Sequence, residues 1–210
     1  MKSAVLIGDY ENAKYHPLID VDTEMINIFQ GSIKIDVVSE YENLTLEDLL
    51  KYDMLIDYAD QWRNKGSDRL AAAMISYVVQ GGALLSIHNG IIKGTHYELA
   101  AMQGGAMFMH PPYTYLPYQI LCSHPIATGL EELEMNLEEE PYVFEMDAFM
   151  ESNLFLSYSY GELKKPAGWT REFGKGRVCY IAPGHNVITF KNVSFRQILR
   201  RCGLWACREF

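Results

Sequence analysis

A chain of 210 residues, 49% of them hydrophobic, is sized for one globular domain spanning 1–210. A domain of this size buries roughly 70% of the surface its unfolded chain exposes, so it needs no disulfide staples. The net charge is −9 and no Lys/Arg cluster exceeds three residues, which argues against a nucleic-acid partner, since neutralising phosphates takes a basic face.

The first apolar run, Ala4 to Ile7, lasts four residues before Gly8-Asp9, too short for a secretory leader or a membrane span. The expectation is a cytoplasmic protein with no membrane partner. Cys122, Cys179, Cys202 and Cys207 form no C-x-x-C pair and read as inert thiols in a reducing compartment.

Ala4 to Gly8 reads as a first buried strand, opening into a polar loop that carries Tyr15-His16-Pro17. Met25, Ile26, Ile28 and Phe29 mark a helix over Asp22 to Phe29, ended by Gly31. Ile33 to Val38 is a second strand. Thr45-Leu46-Glu47-Asp48 has the form of a capping box for a short helix to Lys51, and Met54 to Tyr58 is a third strand. After the polar loop Asp60 to Gly66, Ser67 is positioned to cap a helix over Asp68 to Gln80, stopped by Gly81-Gly82.

A fourth strand, with no polar alternation in Ala83-Leu84-Leu85, ends in Ser86-Ile87-His88-Asn89-Gly90. Such a run predicts burial on both faces, as in a parallel sheet, and places His88 at the carboxyl end, where open α/β sheets bind ligands. The small-x-His-x-Gly spacing copies the G-x-nucleophile-x-G turn of hydrolases, with His88 in the nucleophile's place.

Strand and helix alternate to this point, so the fold class expected is α/β. Thr95 to Met102 reads as a brief helix. Met107 to His110, Tyr118 to Cys122, Tyr142 to Met146 and Asn153 to Tyr158 read as short strands of an antiparallel extension. The acidic residues from Glu131 to Glu139 read as a solvated surface. Gly174-Lys175-Gly176 turns into a last buried strand, Arg177 to Ala182, which delivers Pro183-Gly184-His185-Asn186, and Phe195 to Cys202 is the closing helix.

Several pieces then fall into one order: Gly81-Gly82 to His88, Phe108-x-His110-Pro111, His124-Pro125-Ile126-Ala127-x-Gly129-Leu130, Glu140-Pro141-Tyr142, Pro166-x-x-Trp169, Gly174-Lys175-Gly176-Arg177-Val178, Gly184-His185 and Gly203-Leu204-Trp205-Ala206. In these the chain resembles the ThuA-like family, named for trehalose utilisation, within the class I glutamine amidotransferase-like folds. The resemblance covers nearly the whole chain. It implies a flavodoxin-like, mostly parallel sheet flanked by helices, a link to sugar catabolism, and site roles for His110 and Glu140.

Glutamine amidotransferases of that fold use a Cys at the elbow and a His followed two residues later by Glu. Here the elbow holds His88, and Val187 stands two residues after His185, so the chain is not expected to be a glutaminase. A neutral imidazole can instead act as a base, a metal ligand or a donor to a sugar hydroxyl. His16, His88 and His185 each follow a separate strand and are candidates to converge. His88, His185 and Glu140 are the expected acid–base groups, and His16, Asn89, His110, Tyr142 and Trp169 the expected substrate-binding residues. His124 reads as a turn residue and His96 as a helix-surface residue. Trp62, Tyr113, Tyr115 and Trp169 are candidate rings for stacking on a sugar.

No cofactor is required by this reading; a zinc ion held by His and Glu is a weaker alternative, without H-x-x-x-H spacing to support it. The expected ligand is a sugar-like small molecule, acted on as a keto-sugar by hydrolysis or isomerisation, with homo-oligomerisation left open. The competing reading is a non-catalytic binding or interaction protein on a degenerate fold.

Overall fold

The computed structural model describes residues 1–11, 13–61, 66–91, 96–121, 124–149 and 151–210. In chain order the first half holds β1 (Lys2–Ile7), α1 (Val21–Phe29), β2 (Ile33–Val38), α2 (Leu46–Leu49), β3 (Met54–Asp57), α3 (Asp68–Val79), β4 (Ala83–Ile87) and α4 (Tyr97–Gln103). The second half holds β5 (Gly105–Met109), β6 (Thr114–Ile120), β7 (Met135–Glu139), β8 (Val143–Met146), β9 (Asn153–Tyr160), β10 (Leu163–Phe173), β11 (Gly176–Ile181), α5 (Val187–Lys191) and α6 (Val193–Ala206). None of the described helices is long and apolar enough to cross a membrane.

Nine strands form one sheet in the order β2-β1-β3-β4-β11-β10-β9-β6-β7. From β2 to β11 every pairing is parallel. From β11 to β7 every pairing is antiparallel. The parallel strands thus follow the 2-1-3-4-5 order of flavodoxin-like sheets, whose order reverses between β1 and β3. β5 and β8 form a separate antiparallel pair. The expected α/β fold with an antiparallel extension is what forms, and four strands of that extension belong to the main sheet.

The parallel strands need cover on both faces because their side chains alternate sides. In β1, Ala4 and Leu6 enter the core on one face, with Met25 and Phe29 of α1 and Phe195, Ile198 and Leu199 of α6. Val5 and Ile7 enter the other, with Leu70, Met74 and Tyr77 of α3 and Leu99 and Met102 of α4. β4 divides the same way, Leu85 and Ile87 against Leu84. The caps form as their residue types dictate. Ser67 Oγ accepts from Leu70 N at 3.3 Å, and Thr45 and Asp48 exchange backbone-to-side-chain bonds of 3.2 and 3.1 Å.

The structure departs from two expectations. Within the acidic run Glu131, Glu132, Glu134 and Glu138 are exposed as expected, but Glu139 is buried, because Met135–Glu139 is a strand whose period-two alternation puts Met135, Leu137 and Glu139 on its inner face. His96 is buried at the start of α4, near Asp68 and Glu98, instead of lying on a helix surface. β10 was not foreseen; its Pro166 sits where the register with β9 shifts, a place that tolerates a missing amide donor. Cys122 and Thr95 lie outside the described residues. Cys179, Cys202 and Cys207 are free and buried.

Candidate functional site

β4 ends in a strained turn. His88 has φ 48°, left-handed for a residue with a Cβ, and opens a 3₁₀ turn over His88–Ile91. Gly90 is required there, since a Cβ would stand 2.2 Å from the Asp57 carbonyl oxygen and 2.8 Å from Ser86 Oγ. Three buried hydrogen bonds fix the turn. Tyr180 Oη donates to the His88 carbonyl at 3.1 Å, Asn89 Nδ2 to the Tyr58 carbonyl at 2.9 Å, and Gln103 Nε2 to the Gly90 carbonyl at 3.2 Å. The turn is therefore over-determined, which is what holds an unfavourable φ in place.

Around this turn the chain ends of four parallel strands meet. His16 follows β1, Asp60 follows β3, His88 follows β4 and His185 follows β11. The first two lie at the point where strand order reverses, where doubly wound sheets bind ligands. Glu139 and Glu140 come from β7, the far end of the sheet order, so the antiparallel half curls back over the parallel strand ends.

Glu140 is the hub. Its Oε2 lies 3.4 Å from His88 Nε2, 3.5 Å from His185 Nδ1 and 3.8 Å from His16 Nε2, and its Oε1 lies 3.8 Å from His110 Nδ1. His16 Nε2 and His185 Nδ1 are 3.2 Å apart. Each of two imidazoles is anchored by its other nitrogen, His88 Nδ1 to the Ala182 carbonyl at 2.7 Å and His16 Nδ1 to Asp60 Oδ2 at 3.2 Å. The sequence-expected trio of His88, Glu140 and His185 thus meets at one point, joined by His16.

Burial sets the charges. Burial would raise the Glu140 pKa, but the imidazoles of His16, His185 and His88 outweigh it and hold the carboxyl well below the usual range. Full burial lowers His88 to about 4, against the opposing pull of Glu140, so this ring is neutral at pH 7. Burial also disfavours the cation of His16, yet Asp60 and Glu140 reverse the balance and raise its pKa.

Glu139 was missed by sequence reasoning. It is fully buried and accepts from Gly184 N at 3.0 Å, from His185 N at 3.2 Å and from the Thr189 hydroxyl. Burial raises its pKa to about 7, with the Thr189 and Gly184 bonds opposing. Its role is to hold the turn that presents His185. The alternation in Met135-Asn136-Leu137-Glu138-Glu139 was the signal that put position 139 on the inner face.

The remaining expected residues divide. The Tyr142 ring stacks on His88, centroids 4.4 Å apart at 26°, and His110 stands at the rim with a third of its side chain exposed. Tyr113 lies 5.0 Å from the His185 ring and accepts from Asn186. Asn89 and Trp169 are placed otherwise than expected. Asn89 is fully buried and clamps the Tyr58 carbonyl. Trp169 is fully buried against Phe144 and Tyr180, and its Nε1 donates to the Gln103 carbonyl at 2.8 Å. It offers no face to a sugar and instead braces Gln103, which in turn holds Gly90. Tyr115 is exposed on β6, and Trp62 lies outside the described residues. His124 accepts from Ile126 N at 3.2 Å within a turn, matching its expected structural role.

His16 Nε2, His88 Nε2, a Glu140 carboxylate oxygen and a His185 ring nitrogen all lie within 4.8 Å of one another. Three imidazoles and a carboxylate so placed can move protons at a bound substrate, or hold a metal ion.

Solved structures of the same fold accompany this geometry. A protein of Parabacteroides merdae described as ThuA-like superposes with TM-score 0.80 at 15% identity, covering 99% of this chain and 90% of that one. A ThuA-like protein of Bacteroides uniformis gives TM-score 0.79 at 15% identity, covering 98% and 91%. A protein of Salmonella typhimurium LT2 described as cytoplasmic gives 0.67 at 16% identity, covering 97% and 98%. No curated protein matches the sequence. The family model for ThuA, described as trehalose utilisation, matches residues 4–206, and the chain therefore belongs to the ThuA family.

Proposed function

We propose that this protein is a cytoplasmic enzyme of sugar utilisation, acting on a sugar-like small molecule, such as a keto-sugar, at the centre built from His88, His185 and Glu140. The observation that carries the reading is the meeting of His16, His88 and His185 around Glu140 at the carboxyl ends of the parallel strands. The family's description as trehalose utilisation supports the substrate class. The chemistry suits it: a carbon next to a keto group, or a glycosidic oxygen, reacts through proton transfer, and positioned His and Glu side chains supply that.

The site is walled on one side by the buried Tyr142 ring and opens past His110 and His185, which retain exposed edges. The test is a panel of sugars and their keto derivatives, assayed with wild type, His185→Ala and Glu140→Gln. Turnover on at least one sugar should fall by about 10²-fold or more in both variants. Equal turnover in variants and wild type refutes the acid–base role, and saturable binding without product refutes the enzyme.

A further inference from the structure

We infer that His16 Nε2, His88 Nε2, His185 Nδ1 and Glu140 Oε2 form a binding site for a divalent first-row transition metal ion of the zinc class. The inference deepens the proposed function by naming what the same centre holds.

The Ala182 carbonyl can only accept, so His88 Nδ1 carries the hydrogen and Nε2 presents a lone pair. That Nε2 is fully buried, makes no hydrogen bond, and points at the Glu140 carboxylate 3.4 Å away. A buried lone pair facing an anion is unfavourable unless a cation, a proton or a metal ion, lies between them. His16 is anchored in a similar way, with Nδ1 on Asp60 at 3.2 Å, and its Nε2, which shares a hydrogen bond with His185 Nδ1 at 3.2 Å, stands 3.8 Å from the same carboxylate oxygen.

The spacing fits an ion. Ligands about 2.0–2.2 Å from a tetrahedral zinc stand about 3.3–3.6 Å from one another. Four of the six separations are 3.4 Å for His88 to Glu140, 3.5 Å for His185 to Glu140, 3.2 Å for His16 to His185 and 3.8 Å for His16 to Glu140, and the two between His88 and the other imidazoles are within 4.8 Å. The Ala182 carbonyl and Asp60 are the outer partners that metal-bound imidazoles regularly keep, since they fix the tautomer and the ring direction. Imidazole with carboxylate is a donor set for zinc and its neighbours in the first transition row, not for calcium or magnesium, which take oxygen. Four residues from four separate loops explain why no short spacing in the sequence announces the site. Such an ion, when bound, would supply Lewis acidity at the strand ends, and His88, His185 and Glu140 would then serve that chemistry as its ligands instead of as free acid–base groups.

The test is calorimetric titration of chelator-treated full-length protein with Zn²⁺, Co²⁺ and Mn²⁺, with metal content measured by mass spectrometry. Wild type should take up one ion per chain and melt at a higher temperature when loaded. His88→Ala and Glu140→Gln should each lose affinity by at least 10-fold, and Asp60→Asn, which removes no ligand, by about 10–100-fold. Should His88→Ala fail to fold, Glu140→Gln and His185→Ala carry the comparison. No stoichiometric uptake of any of the three ions by wild type, or wild-type affinity in the folded ligand variants, overturns the inference. The sugar reading separates cleanly. Metal uptake without action on any sugar upholds the ion site and refutes the substrate; sugar turnover by a protein that takes up no metal and ignores chelator does the reverse.

Discussion

Replacing Glu139 by Ala should be one of the more damaging single changes outside the apolar core. The carboxylate is fully buried, and three donors converge on it: the Gly184 and His185 amides and the Thr189 hydroxyl. A buried donor left without an acceptor costs about 1–3 kcal/mol. Gly184 and Thr189 are buried, whereas His185 is partly open and can turn to water, so the loss comes to about 3–5 kcal/mol. Glu139→Gln keeps one acceptor oxygen for Gly184 and Thr189 and should cost only about 1 kcal/mol. Urea unfolding of wild type and both variants, with slopes checked for constancy, gives the comparison. A midpoint for Glu139→Ala within about 1 kcal/mol of Glu139→Gln would show that the carboxylate is not what satisfies this turn. The same alanine variant should weaken whatever His185 does at the site, because its backbone anchor is gone.

Three further outcomes are expected. Gly90→Ala places a methyl group inside contact distance of the Asp57 carbonyl, and should destabilise by about 1–3 kcal/mol; an unfolding midpoint equal to wild type would mean the turn can shift freely. Ser67→Ala removes the acceptor for Leu70 N at the start of α3 and should cost about 1 kcal/mol by the same assay, with no change expected only if water replaces the cap. Asp53 bonds Ser3 N at 2.8 Å and Lys2 Nζ at 3.2 Å; burial opposes its ionisation, but these partners win and lower its pKa from 3.8. A folded pKa below the unfolded one gives stability that is present above pH 3.8 and lost as pH falls through the lower folded value. Asp53→Asn should therefore flatten the acid side of the stability profile, and an unchanged acid limb would contradict it.

The sequence by itself determined the local pieces. Four-to-six-residue apolar runs, a Ser or Thr before each of two helices, and the glycine pair after α3 are short-range signals, and β1, β3, β4, α2, α3 and their caps formed as those signals dictate. His88 was also legible as a candidate, because a polar residue ending a doubly buried strand lies at a sheet's ligand edge. The acidic run misled only at Glu139, since charge suggests solvent until the alternation of Met135, Leu137 and Glu139 is weighed against it. Trp169 misled for a related reason: an aromatic ring fits a core as well as a sugar, and only its bond to the Gln103 carbonyl distinguishes the two.

What tertiary structure decided is the company each side chain keeps. His16, His88, Glu140 and His185 are spread over 170 residues of sequence and meet only because strand order reverses between β1 and β3 and the β7 edge curls back over the strand ends. No local pattern encodes that meeting, for loop closure over such separations is paid by the packing of the whole sheet. The ring tautomers were likewise beyond the sequence. They depend on the Ala182 carbonyl and Asp60, neighbours in space that turn Nε2 of both rings toward Glu140.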